Sequence, residues 1–109
     1  MLNPGDIVIV DFPGAIGIKT RPAIVLSTNL YHTHRPDVIV GLVTTHIAAA
    51  TAPTDYVLQD WAAAGLHQPS AYRSYLVTLD DGSLPPIGHL SDRDWQEVQA
   101  RLKLALAVP

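Results

Sequence analysis

The sequence predicts a small, mainly β fold of the α+β class, in which a strongly curled antiparallel sheet is closed by a C-terminal helix. Three observations carry that reading. Short β-branched stretches separated by Gly- and Pro-containing loops recur up to Leu90. From Ser91 onward the apolar residues change to helical spacing. The 109 residues, 48% hydrophobic and only 16% charged, suffice for one domain with one core, spanning residues 1–109, and leave little room for disorder.

Taken in order, DIVIVDF (6–12) is β-branched on both faces, as befits a short central strand covered on both sides. The loop PGAIGIKT (13–20) holds a proline and two glycines, and RPAIVLST (21–28) then resumes the strand pattern, so the two stretches read as an antiparallel pair. NLYHTHRPD (29–37) reads as a second loop. VIVGLVTTHI (38–47) is a third strand whose internal Gly41 marks a bulge or a close backbone approach. TDYVLQ (54–59) is a short strand expected to pair with its predecessor. DWAAAGL (60–66) reads as one helical turn, capped by Asp60 and stopped by Gly65. Residues 67–90 give a strand, a turn at Asp80, Asp81 and Gly82, and another short extended piece. The last helix (91–107) starts at Ser91, with Asp94 placed close to a capping box and Asp92 suited to the positive helix terminus. Trp95, Val98, Leu102 and Leu106 form one apolar stripe while Arg93, Glu97 and Arg101 point elsewhere, the pattern of a packing helix.

Charge and motif content narrow the function. A formal net charge of −3 argues against nonspecific coating of nucleic acid, which relies on Lys and Arg to release counterions, but it permits a small local basic site. With no cysteine, disulfide and thiolate chemistry are excluded, in keeping with a reducing cytosol. No basic leader precedes an apolar core, and no apolar run approaches the roughly 18 residues of a membrane span, so a soluble cytoplasmic protein is expected. So apolar a small domain is also expected to hide surface in a twin subunit. Phosphate loops, dinucleotide fingerprints, HExxH and CxxC are all lacking. His32 and His34 lie two apart beside Arg35, but no third ligand accompanies them and no metal site is assigned.

Arg21 is locked to Pro22 at the expected mouth of a strand, which needs neither the charge nor the proline. That points to a placed side chain, although Arg-Pro also serves as an ordinary loop-to-strand junction. In the third strand, alternation puts Thr44 and His46 on one face, where a hydroxyl and a titratable ring would form one wall of a site. The competing reading of that pair is a half-buried polar contact without a pocket.

The order GDIVIVDFP, G…K.RPAIVLS, VIVGLVTTH, GLHQPS and IGHLSDRDWQEV…L resembles the MazF/PemK family of toxins over nearly the whole chain. Its most specific part is the GDIVIVDF and RPAIVLS pair. The resemblance implies an SH3-like barrel, a homodimer, a cognate antitoxin as partner, and cleavage of single-stranded RNA without metal or cofactor. In such cleavage the RNA's own 2′-hydroxyl attacks the adjacent phosphate, so the protein must remove one proton, supply another and stabilise extra negative charge. The resemblance assigns the phosphate to Arg21, whose planar fork stays charged at any physiological pH, and to the hydroxyl of Thr44, with Thr45 as the alternative. It also sets Ser70 near the groove, and Lys19 adds attraction toward the phosphate. Where many members carry a glutamine after the threonines, this chain has His46, a candidate for proton transfer. The first loop lacks the glutamine or acidic side chain many members place there, which leaves the general base open. Tyr31, His32 and Arg35 are candidates for base contacts. The CcdB gyrase poisons, which cut nothing, resemble the same barrel, and a barrel that only binds an antitoxin is a third reading. The retained TRP and VTT pieces favour the nuclease.

Overall fold

In the computed structural model, residues 2–13, 17–80 and 84–108 are described. The first two β-branched stretches pair as a hairpin, β1 (Asp6–Pro13) with β2 (Ile18–Val25), so that Val10 stands opposite Arg21 and Phe12 opposite Lys19. A short helix α1 (Asn29–His34) leads to β3 (Asp37–Thr44), then a 3-10 turn (Ile47–Ala49), β4 (Tyr56–Val57), β5 (Ala71–Asp80), β6 (Pro86–His89) and helix α2 (Asp92–Ala105). The strands make one sheet in the order β4-β5-β3-β2-β1-β6, each neighbouring pair antiparallel.

Alternation sorts the strand residues onto two faces, and both are buried, which explains why β1 to β3 carry Ile and Val at successive positions. On one face Val8, Val10, Phe12, Ala23, Val25, Val38, Val40 and Leu42 form a buried cluster with Leu2. On the other, Ile7, Ile24, Val43 and Tyr72 pack with Leu58, Ala64, Leu66, Leu90 and Val98, so α2 and the 58–66 segment cover that side. The sheet curls around the first face. Phe12 and Tyr75 meet edge-on at 6.2 Å although two strands lie between theirs in the sheet order. At about 1.5–3 kcal/mol for each fully buried Val, Leu or Ile, the two clusters are the main driving force of the fold.

Gly41 answers to both sequence readings at once. It sits at a bulge, where the β3–β5 register slips between the pairs Gly41–Leu76 and Val43–Tyr72. A Cβ there would stand 2.6 Å from Cε1 of the buried Tyr72 ring, so the backbone is bare because an aromatic ring lies on it.

Helix α2 begins as expected at Ser91, whose Oγ accepts the Asp94 amide at 3.2 Å. The Asp94 carboxylate does not reach back to complete a capping box. Fully buried, it accepts from the Tyr56 hydroxyl (2.7 Å), the Gln59 amide (3.1 Å) and the Asp60 amide (2.8 Å), and so ties the 56–60 segment to the helix. Asp60 accepts from Ser91 Oγ at 2.6 Å and pairs with Arg93 at 2.7 Å. Those bonds hold its carboxyl below the usual aspartate range, the Arg93 bond being the larger cause.

Several boundaries move, each for a local reason. β2 begins at Ile18 rather than Arg21, because Thr20 Oγ1 donates to Asp11 across the hairpin at 2.8 Å and extends the pairing past Pro22. Arg21 is therefore inside a strand and not at its mouth, and Lys19 is a strand residue too. Pro22 is tolerated because the ladder to β3 begins only at Ala23. Residues 29–34 form α1 instead of a loop, since Thr28 Oγ1 accepts the Tyr31 amide as a cap. β3 stops at Thr44, where Thr44 Oγ1 accepts the His46 amide at 3.1 Å and turns the chain, so strand alternation does not place His46 beside Thr44. The strand at 54–59 shrinks to Tyr56–Val57 and pairs with β5, not with its predecessor. Residues 60–66 make the one expected turn, with the Ala64 amide donating to the Asp60 carbonyl at 3.2 Å, and Gly65 stops it at φ +91°, where an added Cβ would stand 2.7 Å from Ile87 O. The end of the turn at Asp81 and Gly82 lies outside the described residues.

Candidate active site

The β2–β3 ladder runs Val25–Val40, Ile24–Gly41, Ala23–Leu42. Arg21 and Thr44 each stand two residues beyond the end of this ladder, one on either strand. Both lie on the face around which the sheet curls, one step beyond the buried pair Ala23 and Leu42, and both are half-buried. They form the polar rim of an apolar interior. Hairpin pairing sets Arg21 and its guanidinium opposite the buried Val10. Among the described residues that guanidinium has no hydrogen-bond or ion-pair partner. The nearest carboxylate in the hairpin, Asp11, belongs to the opposite face and is bonded to Thr20. Thr44 Oγ1 spends one lone pair on the His46 amide, and its own hydrogen remains to be donated. A planar cation and a hydroxyl donor on one face suit an oxyanion such as a phosphate.

Lys19 is exposed on the same face as Arg21, opposite Phe12. Thr45 and His46 follow the end of β3, both exposed, and neither side chain has a hydrogen-bond partner among the described residues. Ser70 is set differently: it is 2% exposed and its hydroxyl donates to the Gln68 carbonyl at 2.8 Å, closing the turn before β5. Of the candidates for base contacts, Tyr31 donates its hydroxyl to Asp37, a bond that raises its pKa above the usual tyrosine value. His32 bridges Ser27 Oγ (2.6 Å) and the Leu2 carbonyl (3.0 Å), pinning the N-terminal segment. Arg35 is exposed beyond the end of α1. Among the described residues no group of three or more His, Asp or Glu side chains is placed to hold a metal ion.

The sequence reading passed over Arg73 and Tyr75. In AYRSYLV the odd positions share a face with Ala71, which pairs with Thr44, and with Val77, which pairs with Val40. Arg73 and Tyr75 are exposed there, while Ser74 turns the other way to bond Thr54 O and Tyr72 OH. The signal was a strand whose inward face carries an arginine and a tyrosine where Val and Leu would be enough. Along the same curl, a shallow groove between β1 and the end of β5 is lined by Ile9, Val10, Asp11, Leu79, Asp80 and Leu84.

The family model of the PemK-like, MazF-like toxins of type II toxin–antitoxin systems matches residues 3–106. The chain belongs to this family. Solved structures of MazF toxins superimpose over almost all of it. An endoribonuclease from a mycobacterial species, solved with its cognate antitoxin, is 21% identical with a TM-score of 0.80, covering 100% of this chain and 98% of that one. MazF in the MazE–MazF complex of Deinococcus radiodurans is 23% identical with a TM-score of 0.76, covering 99% and 98%. The Mycobacterium tuberculosis toxin MazF-mt6 is 23% identical with a TM-score of 0.75, covering 95% and 98%. No match is found among curated protein sequences. The curled six-stranded sheet with its terminal helix is thus the MazF architecture, as the sequence led us to expect.

Proposed function

We propose that this MazF-like toxin is an endoribonuclease that cuts single-stranded RNA by attack of a 2′-hydroxyl on the adjacent phosphate. The observation that carries the reading is the Arg21 guanidinium, without a partner among the described residues, on the same face as a Thr44 hydroxyl that still has its hydrogen to donate. In the reaction the 2′-hydroxyl gives up its proton, the O2′–P bond forms, the P–O5′ bond breaks, and the departing oxygen takes a proton. The products are a 2′,3′-cyclic phosphate and a 5′-hydroxyl. Arg21 binds two equatorial oxygens as charge accumulates on them, and Thr44 donates to one of them. His46, next along the chain from the rim, exchanges the proton, and Thr45 is the reserve hydroxyl donor. Lys19 and Arg73 draw the strand in. Ser70, turned inward, has a structural part beside this site, and no metal ligand enters the scheme.

The structural neighbours support the partners. One is called an endoribonuclease with its cognate antitoxin, and another is a MazE–MazF complex. By that analogy an antitoxin is the partner proposed for this chain, and its apolar composition is the ground for proposing a homodimer. No helix among the described residues is long and apolar enough to cross a membrane, and we assign the toxin to the cytoplasm, where its RNA is.

Incubation with RNA in EDTA tests the reading. Cyclic-phosphate ends that disappear in Arg21→Ala are the expected result. RNA left intact by the wild type, with gyrase trapped on DNA instead, would assign the chain to poisons of the CcdB kind.

A further inference from the structure

Tyr75 is 47% exposed although Val77 and Leu79, which follow on its face of β5, pack partly into the curl. Its ring meets Phe12 at 6.2 Å and 74°, and that edge-on contact fixes the ring while leaving at least one broad face uncovered by Phe12. Its hydroxyl has no partner among the described residues. A ring whose sole task was to close the curl would be better buried, and phenylalanine would be enough for it. The surroundings point to a ligand. Phe12 stands opposite Lys19 and diagonal to Arg21, and Arg73 precedes Tyr75 on the same face of its strand. A held aromatic face among cations that have no partner among the described residues is the combination with which proteins bind single-stranded nucleic acid, cations tracking phosphates and rings stacking bases.

We infer that Tyr75 is the platform on which one unpaired base of the substrate stacks, beside the phosphate gripped by Arg21. The inference rests on the nuclease reading and adds to it a fixed position for one base next to the cut. Phe12 acts through Tyr75, as the buried support that keeps the ring from folding into the curl. Stacking tolerates every base, so Tyr75 sets where a nucleotide sits more than which nucleotide is chosen.

The test uses a random-sequence single strand of 2′-O-methyl ribose carrying 2-aminopurine, which has no nucleophile and reports stacking by fluorescence quenching. Tyr75→Phe and Tyr75→Trp should bind within about twofold of wild type and keep the quenching. Tyr75→Leu, which keeps an apolar contact for Phe12 but has no π-face, should bind about tenfold more weakly and lose the quenching. A Tyr75→Leu protein that melts with the wild type and binds as well as it does overturns the inference. The wild type itself supplies a second measurement that needs no variant. Irradiated with single-stranded RNA substituted with 5-iodouridine, it should crosslink at Tyr75, and crosslinks found only elsewhere overturn the inference. If the wild type cleaves RNA while Tyr75→Leu binds and cuts equally well, Tyr75 alone is refuted. If the wild type neither binds nor cuts any single-stranded RNA, the nuclease reading falls and takes this inference with it.

Discussion

At the scale of single residues, the mechanism we propose divides the work between a charge and a hydroxyl, and the two are separable by substitution. Arg21→Lys keeps the charge but loses the planar fork, so single-turnover cleavage should slow by about 10²-fold or more while the melting temperature stays near that of wild type. Recovery of most of the rate in the lysine variant would mean that Arg21 acts only as a point charge. Thr44→Val removes the donor and also the acceptor that turns the chain toward His46, whereas Thr44→Ser keeps both. About 10²-fold loss in the first and near-wild-type rates in the second are expected, since one oxyanion donor is commonly worth that much. His46→Gln should remove one limb of the pH–rate profile, and an unchanged profile would take His46 out of the mechanism. How these residues come together was only partly legible beforehand. Arg21 and Thr44 were named from the RPAIVLS and VTT pieces, but the alternation argument joined Thr44 to the wrong neighbour. It assumed that the strand continued to His46, and a threonine hydroxyl bonding two residues along its own backbone ended it.

Individual elements explain what local sequence conveyed and what it did not. The start of α2 and the core of β1 were readable because capping chemistry and β-branched runs are local signals. The bond of Thr20 to Asp11 and the burial of Asp94 were not, because each depends on a partner brought in by folding. Gly41 makes the point in energy. Its substitution by alanine drives a Cβ against the fully buried Tyr72 ring, and overpacking of that kind should cost about 1–3 kcal/mol in chemical denaturation. A cost near zero would mean that the ring has room to move. Tyr56 gives an alkaline prediction. Burial first, and then the hydrogen bond to the Asp94 carboxylate, hold its pKa well above that of a free tyrosine, so the folded state keeps the proton longer than the unfolded state. Its contribution is complete below the ordinary tyrosine pKa of about 10 and is lost as pH rises beyond it. Tyr56→Phe should therefore be less stable at neutral pH and lose stability less steeply above pH 10 in equilibrium unfolding. An equally steep decline would place the alkaline sensitivity elsewhere, for instance at Tyr72, which burial also pushes up.

The whole molecule poses a question of charge: an acidic chain of net −3 is assigned a polyanionic substrate. Under the proposed function, position answers it, because Lys19, Arg21 and Arg73 share one face of the sheet, whereas the Arg93–Asp60 pair and the Arg101–Glu97 pair neutralise themselves on and beside α2. Binding should then depend on a few phosphates and not on the general field of the protein. For single strands each neutralised phosphate contributes about −0.7 to the slope of log K against log salt, so contacts by Lys19, Arg21 and Arg73 give a slope of roughly −2. Titration of a 2′-O-methylated single strand from low to high NaCl measures it directly. Arg73→Ala should weaken binding to all sequences and make the slope shallower by about 0.7, which tests the residue that sequence reading overlooked. A slope steeper than about −4 would mean that the strand follows a longer basic track, one that these side chains do not supply and a second subunit would have to complete.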